Sequence, residues 1–211
     1  IRDVVDALYH LVFAGDIGCY TLGSAPPLNA MDTTINMGAS VTMLHGRNIV
    51  RPEEAGKAVA VIGDSTFLHS GVTGLINAVY NNSPSTVIIA DNSITGMTGH
   101  QHNPANGFDI HGNPAPALDL VKLCGAMGIE HVRVVDPFDL EELEAVLREE
   151  TARDALSVII TRRPCALIVK QPDTVYACDL SLCKNCGICS RLGCPAILKI
   201  ENGVEIDPNQ C

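Results

Sequence analysis

Ala58-Val59-Ala60-Val61-Ile62-Gly63-Asp64-Ser65-Thr66 is an apolar, largely β-branched run that stops abruptly in a glycine, a carboxylate and two hydroxyls. A run without apolar/polar alternation predicts a parallel strand covered on both faces. Residues 74–81 follow with Leu75, Ile76, Val79 and Tyr80 at helical spacing. Thr86-Val87-Ile88-Ile89-Ala90 then repeats the strand pattern and ends at Asp91-Asn92. Outward from this β-α-β unit, strands are predicted at 131–135 and 156–160, with 166–169 extending or following the last. Helices are predicted at 117–127 and 137–150. The second takes Asp136 as N-cap and Pro137 as its first residue, with Leu140, Leu143, Val146 and Leu147 as its apolar stripe. The alternation predicts an α/β, doubly wound parallel sheet. Ligands of such sheets bind at the carboxyl ends of the strands.

The 211 residues suit one ordinary domain and a small appended one. The character changes at Gln171-Pro172-Asp173, which reads as a linker and divides the chain into 1–170 and 171–211. A formal charge of −10 argues against nucleic acid as a partner, because phosphate backbones need a basic face. No apolar run reaches membrane-spanning length. The chain begins at Ile1 without Met and stops at Cys211, so it is expected to be an internal piece of a longer protein. Nine cysteines, five of them between Cys178 and Cys194, fit metal ligation in a reducing, cytoplasmic and anaerobic setting better than a secreted disulfide scaffold.

Strand ends place Asp64 and Asn92 side by side at the sheet rim. A hard cation such as Mg²⁺ takes oxygen ligands and shares them with phosphates. Gly63 and Gly96 allow close backbone approach. Ser65 and Thr66 can donate to phosphate at the start of a helix. Each dipeptide alone also fits an ordinary strand-to-helix turn; their combination in one β-α-β unit points to a diphosphate site. In the tail, Cys183-x-x-Cys186-x-x-Cys189 with Cys194-Pro195 matches iron–sulfur spacing, whereas structural zinc prefers two Cys-x-x-Cys knuckles.

The segment from Gly63-Asp64-Ser65 to Asp91-Asn92 resembles the thiamin diphosphate signature, with Ser65 in place of its third glycine and Asp91 in place of its first asparagine. Both departures occur in 2-oxoacid:ferredoxin oxidoreductases. Gly15-Asp16-Ile17-Gly18-Cys19-Tyr20-Thr21-Leu22-Gly23, the stretch 63–71 and the stretch 74–81 are similar to the larger subunits of the indolepyruvate:ferredoxin oxidoreductases, and the similarity runs along the whole chain. The resemblance implies Mg²⁺ ligation by Asp64, Asn92 and the carbonyl of Ile94, with Thr95 to Gln101 beside the diphosphate. It implies a two-cluster [4Fe-4S] ferredoxin-type domain, truncated here. Cys183, Cys186 and Cys189 would hold one cluster, while Cys194 and Cys211 would belong to the other. Cys178 is a spare thiol nearby.

The implied reaction is oxidative decarboxylation of an aryl 2-oxoacid to an acyl-CoA, with electrons passing through the clusters to an external ferredoxin. The implied partner is a smaller (beta) subunit in a hetero-oligomer. The glutamate that activates the aminopyrimidine ring in this family has no match in these residues. Alternatives are a pyruvate or 2-oxoglutarate enzyme, a non-redox thiamin decarboxylase or synthase, and an electron-transfer module. Cys19 and His69 are catalytic candidates. Cys19 reads equally as a buried structural thiol, and His69 as a surface or core histidine. Cys124 and Cys165 are expected in the core, and Met31, Met37 and Met43 are expected to be packing residues.

Overall fold

A computed structural model describes residues 12–169 and 176–208. The linker at 171–173 and Cys211 lie outside the described residues. Six strands form one parallel sheet in the order β2-β1-β3-β4-β6-β5. They are β1 (Val12–Gly15), β2 (Thr33–Thr34), β3 (Ala58–Gly63), β4 (Ser85–Asp91), β5 (His131–Val135) and β6 (Leu156–Arg162). Alternate residues point to opposite faces. Ala58, Ala60, Ile62, Val87, Ile89, Val158 and Ile160 join one core, while Val59, Ile88 and Ile159 join the other. Both faces are buried, which is why these strands read as unbroken apolar runs.

The helices are α1 (Ala39–Val50), α2 (Val72–Tyr80), α3 (Leu120–Ala126) and α4 (Leu140–Thr151). The first three pack on one face through Val41, Leu44, Leu75, Leu120 and Cys124. The fourth packs on the other through Leu143, Val146 and Leu147. The handedness of parallel crossovers explains this division. The steps from β2 to β3, β3 to β4 and β4 to β5 all move the same way across the sheet. The steps from β1 to β2 and from β5 to β6 move back, and of these two only the second carries an α-helix, so α4 alone packs on the opposite face.

Three expectations need correction. The last helix is capped by Asp139, whose side chain accepts from Glu142 N at 3.0 Å, and not by Asp136. Asp136 instead accepts from Phe138 N, so Pro137 belongs to the preceding turn. Starting at Leu140 puts Leu143, Val146 and Leu147 on the sheet and leaves Leu140 72% exposed. Residues 166–169 form turns, not a strand, and Leu167, Ile168 and Val169 are exposed. Both neighbours of β6 are already taken by β4 and β5, and Pro164 breaks the extension. Cys124 is core as expected, but Cys165 is only half-buried at the carboxyl rim.

Unforeseen elements of the main sheet domain are β1, β2 and α1. The buried side of α1 carries Ser40, His45 and Asn48 among its apolar residues, which blurs the helical period. The tail holds a short 3-10 turn at Cys189–Leu192 and an antiparallel pair, β7 (Ile197–Ile200) and β8 (Gly203–Ile206). Among its described residues only Ala196 and Val204 are buried apolar side chains. No helix among the described residues is long and apolar enough to cross a membrane.

Candidate cofactor site

The chain leaving β1 turns toward β2, and the chain leaving β3 turns toward β4. Such a divergence opens a crevice at the carboxyl edge of an α/β sheet. A cavity of about 250 Å³ lies there, walled by residues 17–20 after β1, 63–66 after β3, and Asn92 and 94–98 after β4. Met37 and Met97 add apolar wall, so Met37 borders the cavity and is not simply core. A wider groove of about 400 Å³ lies at the opposite edge, beside His131 and Leu156 at the starts of β5 and β6. It lacks the convergence of strand-end loops that distinguishes the carboxyl-edge crevice.

Asp64 opens a helical run that passes through a π-helical stretch, Phe67–Gly71, into α2. Its first three side chains reach two neighbouring segments, the β4–α3 connection at two points and the loop after β1. Asp64 Oδ2 accepts from Asn103 Nδ2 at 3.0 Å. Ser65 Oγ accepts from Thr95 Oγ1 at 2.8 Å. Thr66 Oγ1 donates to the carbonyl of Ile17 at 3.3 Å. The three walls of the cavity are thus tied together at the positive end of a helix, a favourable place for an anion. A Cβ at Gly63 would stand 3.0 Å from the Tyr20 ring, so any side chain there would push the ring aside. Gly96 has ordinary room, with Asn92 Nδ2 at 3.6 Å and Cys19 Sγ at 3.7 Å from such an atom.

Asp64 is 2% exposed. Burial pushes its carboxyl up to about 6, and the Asp91 carboxylate adds to the push; donation from Ser65 N–H and Asn103 opposes it. Asp91 itself is paired with Arg162 at 2.7 Å and accepts from Ser93 N, so it is already engaged. Asn92 is held by its own turn, accepting from Ile94 N, and its carbonyl takes the Cys165 N–H. A buried carboxylate, an amide oxygen and hydroxyls form an oxygen-rich donor set that fits a hard cation beside a diphosphate. The Tyr20 phenol is held well above its usual range, first by burial, and donates to the Ile17 carbonyl at 3.1 Å.

Of the sequence candidates, Gly63, Asp64, Ser65, Thr66, Asn92, Ile94, Thr95 and Gly96 all line this cavity, as does Cys19. His69 does not: it is exposed on the π-helical stretch. Residues that sequence reasoning missed are Tyr20, Asn103 and Asp16. Gly15-Asp16 repeats the strand-end pattern of Gly63-Asp64, which was a usable signal for Asp16. Asn103 lies in the long connection between β4 and α3 and carries no local signal.

In the tail, Cys178 hydrogen-bonds with the Cys183 thiol and lies near Cys189; burial, then those thiols, raise its pKa. Cys186 and Cys194 are exposed. Among the described residues no three His, Cys, Asp or Glu side chains converge on a single-ion position. A cubane holds its thiolates at separate corners, farther apart than the ligands of one ion.

Residues 16–161 match the family described as thiamine pyrophosphate enzyme, C-terminal TPP binding domain. The chain is 40% identical to indolepyruvate oxidoreductase subunit IorA of Archaeoglobus fulgidus, over 100% of this chain and 34% of that protein. It is 38% identical to the subunit of the same name from Pyrococcus horikoshii, over 95% of this chain and 34% of that protein. It therefore spans about a third of the length of these curated relatives. The fold is shared with a 2-oxoglutarate:ferredoxin oxidoreductase from Magnetococcus marinus, at TM-score 0.65 and 15% identity, over 81% of this chain and 64% of that one. The family match covers all three loops that wall the cavity, from Asp16 to beyond Thr98. This chain belongs to the thiamine pyrophosphate enzymes and carries their C-terminal TPP-binding domain.

Proposed function

We propose that this chain is the cofactor-binding part of a 2-oxoacid:ferredoxin oxidoreductase that converts an aryl 2-oxoacid such as indolepyruvate to its acyl-CoA. It works with a smaller partner subunit, coenzyme A and an external ferredoxin, in a reducing cytoplasm. The observation that carries the reading is the crevice at the β1/β3 divergence, where Asp64, Ser65, Thr66, Asn92 and Thr95 come together. The name borne by the relatives supports the indolepyruvate substrate.

In this reading residues 1–170 are the thiamin diphosphate half, and 171–211 begin the two-cluster [4Fe-4S] domain. Asp64, Asn92 and the Ile94 carbonyl hold Mg²⁺. Ser65, Thr66 and the first-turn N–H groups take the diphosphate, and Thr95 and Gly96 form its wall. Cys19, the catalytic candidate that lines the cavity, faces Gly96 across it. When bound, thiamin diphosphate supplies the electron sink for loss of CO₂. The cysteine module supplies the exit for the electrons, with Cys183, Cys186 and Cys189 in one cluster and Cys194 and Cys211 in the other.

The test uses the full-length protein with its partner subunit, prepared without oxygen. Thiamin diphosphate is expected to bind by calorimetry only with Mg²⁺. Asp64→Ala is expected to weaken binding by more than the ~10–100-fold typical of losses outside the ligand shell. The protein is expected to be brown, with acid-labile sulfide, and to reduce ferredoxin faster with indolepyruvate than with pyruvate or 2-oxoglutarate. Normal cofactor binding by Asp64→Ala, or a colourless preparation holding only zinc, would sink the reading.

A further inference from the structure

We propose that Asn103 is the positioning residue of the metal-binding carboxylate: it fixes the orientation of Asp64 and thereby sets the affinity of the site for Mg²⁺. The inference rests on the assignment of Asp64 as a cation ligand.

Asn103 is 5% exposed and sits in the long connection between β4 and α3, remote in sequence from Asp64. Both ends of its amide are engaged. Nδ2 donates to Asp64 Oδ2 at 3.0 Å, and Oδ1 accepts from Ala105 N at 2.9 Å. The second bond fixes the amide orientation, because only the nitrogen end can then face the carboxylate. It also occupies Oδ1 in the Asn103–Ala105 turn, so the amide acts through Asp64. A carboxylate with one oxygen held by a rigid donor presents its other oxygen in a fixed direction. That orientation is decided before the cation arrives, which is how partners behind a metal ligand raise affinity. The main competing role is a pin that closes the loop onto α2's lead-in turn, with no consequence for the cation.

Two variants separate the roles. Asn103→Ser keeps a short side-chain oxygen able to accept from the Ala105 N–H in a turn of the same kind, but it is too short to reach Asp64. Asn103→Ala removes both bonds. In the full-length protein, Mg²⁺ is titrated calorimetrically at saturating thiamin diphosphate, and metal-free melting is followed alongside. Both variants are expected to raise the half-saturating Mg²⁺ concentration by ~10–100-fold, with cofactor binding restored at high Mg²⁺. Asn103→Ser is expected to melt close to the parent. In an Asp64→Asn background, Asn103→Ser is expected to cause no further loss of the residual cofactor affinity, because the two residues act as one unit.

If Asn103→Ser titrates with Mg²⁺ like the parent while Asp64→Asn abolishes the Mg²⁺ dependence, the positioning role is wrong and the cofactor reading stands. If Asp64→Asn itself leaves the Mg²⁺ dependence intact, the cofactor reading fails first. Should Asn103→Ala not fold, Asn103→Ser decides the matter alone.

Discussion

Gly15-Asp16 and Gly63-Asp64 are the same dipeptide at the ends of two adjacent parallel strands, β1 and β3. Their surroundings differ. Asp16 is fully buried and accepts from the backbone N–H groups of Ile17, Gly38 and Ser40, at 2.8, 2.8 and 3.0 Å. It therefore ties the β1 loop to the start of α1. Asp64 is almost as buried, but its donors are the N–H groups of Ser65 and of Asp64 itself and one neutral amide, and the Asp91 carboxylate lies close by. The first acid is complete within the fold. The second is electrostatically short of positive charge, the condition that a bound cation relieves. Burial alone does not distinguish a structural carboxylate from a ligand; the donors around it do.

The strongest way to break this comparison is Asp16→Ala. Two buried N–H groups, those of Gly38 and Ser40, and the partly buried one of Ile17 lose their acceptor, so stability is expected to fall by about 3 kcal/mol or more in denaturant unfolding. A loss below about 1 kcal/mol would remove Asp16 from its structural role.

The opposite sign is expected at Asp64. Its folded pKa of about 6 lies above the model-peptide value of 3.8. Between these values the unfolded chain ionises while the folded one stays protonated, so the metal-free protein loses stability as pH rises, by about 1.4 kcal/mol per pH unit. Above about 6 both states are ionised and the deficit is constant. The difference in unfolding free energy between Asp64→Asn and the parent isolates this contribution from other acids. It is expected to grow in favour of the variant up to pH 6 and then level off, and saturating Mg²⁺ and thiamin diphosphate are expected to reverse it. A flat difference across that range would show that Asp64 is not short of positive charge.

The smallest effect sharpens the site around Asp64. Thr95→Val removes the bond to Ser65 that joins two of the cavity walls. It is expected to cost about 1 kcal/mol in stability, with a comparable loss in cofactor affinity. An unchanged protein would mean that the wall is held by its backbone bridge to Gln101 alone.

Much of the fold was legible because β3, β4 and β6 are buried on both faces, and that condition leaves an unbroken apolar run. The helix cap was misread at Asp136 because Asp136 and Asp139 both suit a cap, and only the phase of Leu143, Val146 and Leu147 against the sheet chooses between them. Residues 166–169 carried the composition of a strand but had no vacant place beside β6. The tail was legible as ligand spacing and not as packing. With two buried apolar side chains among its described residues, Ala196 and Val204, it has little core to leave a hydrophobic pattern.

The sequence by itself determined the strand ends that hold Asp64 and Asn92, the parallel architecture and the thiol spacing of the tail. Each is written in neighbouring residues through periodicity or local backbone chemistry. Only the tertiary structure decided that Asn103 reaches Asp64, that Thr66 reaches Ile17, and that Asp16 caps α1 while Asp64 faces a cavity. These contacts join segments 22 to 49 residues apart. No local pattern encodes them, because they arise from where the sheet order and its right-handed crossovers bring the loops together.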